Sequence, residues 1–195
     1  MNDLAAMDDT IRAAIRESVE LKTRLLAETN ATLARIAAAM AEAFRNRRKV
    51  VLFGNGGSAA DAQHVAAELV NRFLMERRAL PALALTTDTS ILTAMANDLG
   101  FDCVFARQVE ALVQPGDVVV GLSTSGNSEN VLQGLRAARE CGATTVGLTG
   151  RDGGRLKEAA DICFCAPSDN TPRIQEVHIT VLHAICEVVE RELFD

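Results

Sequence analysis

The sequence contains no tryptophan and no tyrosine, and seven phenylalanines are its only large aromatic residues. Proteins that bind single-stranded nucleic acid stack bases on aromatic side chains, so a chain this poor in aromatics is a weak candidate. A net charge of −6 also removes the general electrostatic attraction to a phosphate backbone. We therefore expect no nucleic-acid partner.

Long apolar runs are lacking as well. No stretch reaches the roughly 18 residues that a membrane-spanning helix needs. The N-terminal "MNDLAAMDDT" is acidic and has no apolar core of the kind found in secretory signals. We expect a cytoplasmic protein without a membrane partner.

The five cysteines are odd in number and scattered through apolar segments. This pattern is typical of reduced, mostly buried thiols. Cys163 and Cys165 share one face of a predicted strand, and no CxxC partner exists. A core interpretation of this pair is therefore favoured over a metal or redox site.

Glycine and proline are absent from the first 48 residues. Apolar residues recur there at helical spacing, which predicts two helices over about 8–27 and 29–46. Such a pair either covers one face of a sheet or packs against other subunits. We interpret residues 1–48 as part of the same domain as residues 49–195, with a role in oligomer contacts.

From Lys49 onward, short apolar runs alternate with amphipathic segments. The runs are "VVLF" (50–53), "ALAL" (82–85), "DVVVGL" (117–122), "TTVGLT" (144–149) and "ICFCA" (162–166). The remaining segments predict helices near 58–73, 89–97, 102–113, 128–141, 153–160 and 172–193. Continuous apolar strands separated by helices indicate a parallel sheet covered on both faces. The predicted fold is a single doubly wound, flavodoxin-like α/β domain with a five-stranded parallel sheet and a leading helical pair.

Every predicted strand opens into a polar loop, and in such sheets ligands bind outside the carboxyl ends of the strands. The loop "STSGNSEN" (123–130) places hydroxyl and backbone donors at a predicted helix N-terminus, an arrangement that favours an anion. The same residues could form an ordinary turn with Ser128 as N-cap. The loop contains no "GK[ST]", so a nucleoside triphosphate is disfavoured.

The stretch "GNGGSAADAQH" (54–64) also follows a strand. It departs from the dinucleotide pattern GxGxxG because Ala59 stands where the third glycine belongs. Its glycines form either a tight turn or a backbone that, with Asn55, approaches a sugar closely. The helix that follows carries His64 and Glu68 one turn apart on one face. Alone this is a common surface pair, but its helix starts at the predicted site.

Two further segments carry polar side chains. Asn97 and Asp98 look like a helix end and could also hydrogen-bond a polyol. The last helix carries Gln175, His178 and His183, and both histidines are open to a core or surface interpretation. Gln175 and His183 are about 12 Å apart along the helix axis. They would share one metal ion only if their side chains lean together or if subunits share the site.

Six blocks of the chain carry a family pattern in its order and spacing. They are "GNGGSAADAQHVAAEL", "LPALALTTDTSILTAMANDLGFD", "FARQVEAL", "PGDVVVGLSTSGNSENVL", "GLTGRDGG" and "PSDNTPRIQEVHI" with a later histidine. From about Lys49 to Glu192 the chain resembles the phosphoheptose isomerases of the sugar isomerase (SIS) domain family. The resemblance implies a homotetramer with sites at subunit interfaces. It also implies conversion of sedoheptulose 7-phosphate to D-glycero-D-manno-heptose 7-phosphate, the first step toward the ADP- or GDP-heptose precursors of surface polysaccharide.

The resemblance also implies one zinc ion per subunit, held by His64, Glu68, Gln175 and His183. It implies a larger set of substrate contacts on the predicted loops and helices: Asn55, Gly56, Gly57, Ser58, Glu68, Asn97, Asp98, Ser123, Thr124, Ser125, Ser128 and Gln175.

Isomerisation through an enediol requires a base for the C–H proton and an acid near the carbonyl oxygen. We expect Glu68 to be the base and His183 the acid. A glutamate that ligates zinc is a poorer base, so this assignment would require Glu68 to change role as substrate arrives.

The same fold hosts relatives that bind the replication initiator or sense sugar phosphates without catalysis. A binding relative would tolerate loss of Glu68 or His183, whereas this chain keeps both. A sugar-phosphate isomerase of different chain length is a further alternative, since nothing in the sequence measures the length of the substrate.

Overall fold

A computed structural model describes residues 2–28 and 31–195. The helices are α1 Asn2–Glu28, α2 Ala31–Arg45, α3 Gly57–Val70, α4 Thr89–Asp98, α5 Ala106–Leu112, α6 Glu129–Glu140, α7 Leu156–Ala159 and α8 Thr171–Phe194. The strands are β1 Val50–Gly54, β2 Ala82–Ala84, β3 Val118–Leu122, β4 Thr144–Gly150 and β5 Ile162–Ala166. A short 3-10 turn covers Phe101–Cys103. Among these helices, none is both long and apolar enough for a membrane span.

The five strands form one parallel sheet in the order β2-β1-β3-β4-β5. This is the flavodoxin-like order, and the predicted fold class is confirmed. The apolar strands are buried because helices cover both faces. Val50 and Leu52 face a core shared with α2, α3 and α8, whereas Val51 and Phe53 face a second core shared with α5 and α6. All five carboxyl ends therefore open on one rim.

The N-terminal helices differ in how they are buried. Ile36, Met40 and Phe44 of α2 belong to the first core, so α2 covers the sheet. In α1, Leu21 is buried, but Ile11 and Ile15 are 58% and 60% exposed. The boundary predicted near residue 29 lies outside the described residues. Helix α1 extends further toward the N-terminus than predicted, to Asn2.

Two helix predictions were wrong in extent. The helix predicted over 58–73 ends at Val70, and residues 71–81, here called the α3–β2 loop, run without regular structure. The helix predicted over 102–113 is divided into the 3-10 turn and α5. In the first case, the backbone amides of residues 73–75 donate hydrogen bonds to Glu190 instead of continuing the helix.

The expectation of mostly buried thiols was wrong for four of the five free cysteines. Only Cys186 is buried, and the others are intermediate. Cys163 and Cys165 share one face of β5, alternating with the buried Ile162 and Phe164. Strand β5 lies at the edge of the sheet, and the face that carries these two cysteines is only partly covered.

Candidate active site

Helices α3 and α8 run side by side in the same direction and bring three predicted site residues together. His64 Nε2 lies 2.8 Å from His183 Nε2 and 3.2 Å from Glu68 Oε1. One ligand atom from each residue falls within 4.8 Å of the others. The His64–Glu68 spacing of one turn aligns their side chains on α3, and the packing of α8 adds His183.

This donor set matches the chemistry of a zinc site. Two imidazole nitrogens and one carboxylate oxygen are the ligands of catalytic zinc centres, which keep a further position open for water or substrate. The Glu68 side chain is 23% exposed and that of His64 is 49% exposed. The three residues could therefore hold an ion that solvent or substrate reaches.

Asp61 lies one turn before His64 on α3 and was not singled out from the sequence. Its Oδ2 is buried and has no hydrogen-bond partner among the described residues. Burial raises the pKa of the Asp61 carboxyl, and the nearby His64 opposes this effect. Asp61 precedes His64, a candidate metal ligand, by three residues on one helix, and this spacing is the sequence signal that points to it.

Gln175 lies elsewhere on α8, at the glycine loop. A Cβ placed on Gly57 would come 2.6 Å from Gln175 Nε2, so the amide packs directly against the first turn of α3. Gly57 precedes His64 by two turns, as Gln175 precedes His183. The structure therefore puts the Gln175 amide beside Gly57, one of the predicted substrate-binding residues.

The glycine loop is anchored by a residue that sequence reasoning missed. Asn55 and Asn130 exchange two amide hydrogen bonds, each 2.9 Å long. Asn130 lies in the first turn of α6 and is 3% exposed. Gly56, with φ 56°, precedes α3 in a conformation that suits glycine. Ser58 follows in the first turn and is buried.

The loop 123–128 presents its hydroxyl groups at the start of α6. The Ser123 and Ser128 hydroxyls are 2.9 Å apart, and the Ser125 hydroxyl accepts a hydrogen bond from the backbone N–H of Asn127 at 3.2 Å. Ser128 occupies the N-cap position, but its side chain makes no capping hydrogen bond. The N-terminus of α6 is thus available to an anion, as the sequence suggested. Thr124 lies in the same loop, half-buried, and its carbonyl accepts from the Gly150 amide.

An open polar cleft of about 630 Å³ lies beside this loop. It is lined by Ser125, Asn127, Arg151, Asp152, Pro167, Ser168 and Asp169. Pockets for small ligands have volumes of about 300–1,000 Å³. The serine loop therefore borders a space of the right size for a small polar molecule.

Two predicted substrate residues stand apart from these loops. Asn97 and Asp98 end α4 and are exposed, and the Asn97 amide donates to Asp98 Oδ1 at 2.7 Å. Within residues 2–28 and 31–195, no hydrogen bond joins them to the other predicted site residues. Their role in substrate binding remains a prediction.

His178 belongs to the core. It is fully buried, and its Nε2 lies 2.9 Å from the Thr149 carbonyl oxygen, to which it donates. Burial lowers the pKa of His178 to about 4, although the hydrogen bond to Thr149 acts in the opposite direction. Of the two interpretations left open for this histidine, the core one is correct.

The buried His178 predicts a pH-dependent stability. The unfolded chain protonates this histidine near pH 6.5 and the folded protein only near pH 4, so protons favour the unfolded state between these values. We expect His178 to cost the folded state about 2 kcal/mol as the pH falls from 7 to 5. His178→Gln keeps an N–H donor and does not titrate, so its free energy of unfolding in urea should decline less over this range. Parallel pH profiles for the two proteins would contradict the assignment.

Comparisons with known proteins find a family model, close sequence relatives and similar solved structures. The model of the SIS domain family matches residues 15–150. The phosphoheptose isomerase of Roseiflexus sp. is 58% identical over 181 residues, covering 93% of this chain and 92% of the relative. The structure of a phosphoheptose isomerase from Neisseria gonorrhoeae has a TM-score of 0.90 and 42% identity, covering 95% of this chain and 99% of that one. A phosphoheptose isomerase from Francisella tularensis also reaches a TM-score of 0.90, at 37% identity, covering 94% and 97%.

Proposed function

The chain belongs to the phosphoheptose isomerases of the SIS domain family, and on this premise we propose that it converts sedoheptulose 7-phosphate to D-glycero-D-manno-heptose 7-phosphate. The observation that carries the proposal is the convergence of His64, Glu68 and His183 where helices α3 and α8 pack together. Relatives of more than 50% identity bear the name of this enzyme. The reaction would be the first step toward activated heptose for surface polysaccharide.

The reaction transfers a proton between two neighbouring carbons of the sugar through an enediol. Glu68 removes the proton from C1 of the ketose, and His183 protonates the C2 carbonyl oxygen as the electron pair moves onto it, which gives the enediol. His183 then takes the proton of the C1 hydroxyl while Glu68 returns its proton to C2, which leaves the C1 aldehyde. The contact with His64 engages Glu68 Oε1. The second carboxylate oxygen therefore remains for proton transfer, which eases the conflict between the roles of ligand and base.

Zinc, when bound by His64, Glu68 and His183 with Gln175 as a fourth ligand, supplies Lewis-acid polarisation of the sugar oxygens. We propose one ion per subunit. The Gln175 amide packs against Gly57, about 12 Å along α8 from His183, so it completes the site only if its side chain leans toward His183 or if subunits share the site. In its present position the amide contacts the substrate beside Gly57.

The remaining predicted residues bind the substrate. Ser123, Thr124, Ser125 and Ser128 hold the 7-phosphate at the N-terminus of α6, far from the reacting carbons. Asn55, Gly56, Gly57 and Ser58, with Asn97 and Asp98, contact the sugar hydroxyls. Binding energy gained at the phosphate then positions C1 and C2 against Glu68.

The test is aldose formation from sedoheptulose 7-phosphate by the purified protein, before and after chelation. We expect conversion to stop with a chelator and to return when zinc is restored. A protein that stays inert with zinc present would refute the isomerase assignment. Undiminished turnover after verified zinc removal would refute only the proposed role of zinc in the reaction.

We further propose a homotetramer with active sites at subunit interfaces, in the cytoplasm, with residues 1–48 and 49–195 forming one domain. The exposed apolar side of α1 supports the assembly. Its residues are Leu4, Met7, Ile11, Ile15, Val19 and Leu26, each more than half exposed. Helix α2 supports the single domain, because its apolar side is buried against the sheet.

Introducing charge on the apolar side of α1 should split the assembly. We expect Ile11→Glu combined with Ile15→Glu to lower the mass in light scattering from four times 20.9 kDa to a smaller species. The matched control is Ala13→Glu, which places the same charge on the opposite, exposed side of α1 and should leave the mass unchanged. A double variant that keeps the full mass would exclude this surface from the interface.

A further inference from the structure

The α3–β2 loop contributes an aromatic ring to the candidate active site. The Phe73 ring stacks on the His183 imidazole, with centroids 5.3 Å apart and planes inclined by 21°. His64 approaches the same imidazole from a second direction, with an interplanar angle of 61°. The His183 imidazole therefore contacts the Phe73 ring on one side and the His64 imidazole on another.

The loop that carries Phe73 is fixed by a buried carboxylate. Glu190 lies two turns after His183 on α8, and its side chain is 1% exposed. Its two oxygens accept from the backbone amides of Phe73 at 2.8 Å, Leu74 at 2.8 Å and Met75 at 3.0 Å. These hydrogen bonds determine where the backbone places the Phe73 ring.

Arg77 connects this carboxylate to α3. Its guanidinium is 1% exposed and donates from Nε to Glu190 Oε1 at 2.8 Å. It also donates to the carbonyl oxygens of Glu68 at 2.9 Å and Leu69 at 2.8 Å. The Arg77–Glu190 pair thus touches the main chain of one candidate catalytic residue and, through Phe73, the side chain of the other.

We propose that Phe73 and the Arg77–Glu190 pair are positioning residues that set the separation and orientation of His183 and Glu68. The inference rests on the proposed function, in which these two side chains transfer protons and bind zinc. A buried ion pair is weak evidence for added stability, because apolar residues of the same volume often serve as well. Arg77 of this pair instead donates four hydrogen bonds to defined oxygens, one on Glu190 and three on backbone carbonyls, an arrangement that specifies geometry.

The geometric effect is large enough to measure. Displacing a catalytic group by about 1 Å can cost about 100-fold in rate. Residues that orient metal ligands change metal affinity or activity by about 10- to 100-fold when they are replaced. The proposal therefore predicts a change in turnover and in zinc affinity, and not only in folding.

The first test replaces Phe73 with leucine, which keeps apolar bulk and removes the flat ring. We expect kcat to fall about 10-fold with KM within about 2-fold, and zinc affinity in chelator competition to fall about 10-fold. Phe73→Tyr, which restores the ring, should recover both. Phe194→Leu is the matched control, because Phe194 also packs near Arg77, with its ring centroid 6.0 Å from the guanidinium carbon, and should change neither.

An independent readout is the NMR signal of the His183 ring protons in zinc-free protein. The chain has three histidines, so this signal has to be distinguished only from those of His64 and His178. Loss of the stacked ring removes its shielding, so the His183 ring protons should move downfield in Phe73→Leu and not in Phe194→Leu. Glu190→Gln, which keeps the side-chain shape and removes the charge, should shift the same signal and weaken zinc binding.

The outcomes separate this inference from the function on which it rests. If wild type binds zinc and isomerises the substrate, but Phe73→Leu and Glu190→Gln alter neither kcat nor zinc affinity, the positioning role is wrong. A folded Phe73→Leu protein with an unmoved His183 signal would also overturn it. If wild type itself neither binds zinc nor turns over, the proposed function fails first.

Discussion

Replacing Glu68 with glutamine reduces kcat by about three orders of magnitude in this account, because an amide cannot accept the C1 proton. The same change replaces a charged carboxylate ligand with a neutral amide oxygen, so zinc affinity also falls. Aldose formation from sedoheptulose 7-phosphate at saturating substrate measures the first effect, and chelator competition measures the second. The helix should remain folded, since glutamine matches glutamate in size and helix propensity.

The matched control is Glu110→Gln, an identical change on α5 at an exposed position that pairs with Arg107. We expect wild-type activity from it. A Glu68→Gln protein that retains more than about a tenth of wild-type kcat would contradict the assignment of the base, given that such groups contribute about 100- to 10,000-fold.

Replacing Gly126 with alanine should raise KM for the sugar phosphate by about 100-fold. Gly126 has φ 67°, and a Cβ there would overlap the Gly153 carbonyl oxygen and come 2.9 Å from Thr149 Oγ1. The loop between Ser123 and Ser128 must move to admit the methyl group. Each lost hydrogen bond to a charged phosphate costs about 1.5–3 kcal/mol, so one or two such losses account for the effect.

Steady-state kinetics and competition by inorganic phosphate measure this change. Gly142→Ala is the control, since Gly142 has φ 78° and lies near Pro115 in the turn between α6 and β4. It should lose about 1 kcal/mol of stability from backbone strain and keep its KM. An unaltered KM in Gly126→Ala would mean that the phosphate binds elsewhere.

The sheet and the rim could be predicted from the sequence because both depend on local patterns. Runs such as "VVLF" are apolar on both faces, and that alone indicates a central parallel strand. His64 and Glu68 were paired correctly because their spacing within one helix fixes their relation. Spacing alone could not show that His183 joins this pair, since that contact depends on how α8 packs against α3, and only the family resemblance named it.

The errors have the same origin. The apolar pattern near Phe73 continues that of α3, and it predicted a longer helix than forms. The backbone amides of residues 73–75 instead bond to Glu190, which lies more than 110 residues later. Asn130 was overlooked because it acts through two amide hydrogen bonds with Asn55, which lies 75 residues away in the sequence. Contacts of this kind have no signal in a local window of sequence.

The most direct measurement of the central claim is the isomerisation carried out in D2O, with the label located by NMR. Glu68 is partly open to solvent, so a proton that it carries can exchange before it returns to the sugar. The account predicts aldose with deuterium at C2, formed only while His64, Glu68 and His183 are intact. Aldose formed in high yield without deuterium at C2 would contradict proton transfer through an enediol by an exchanging base.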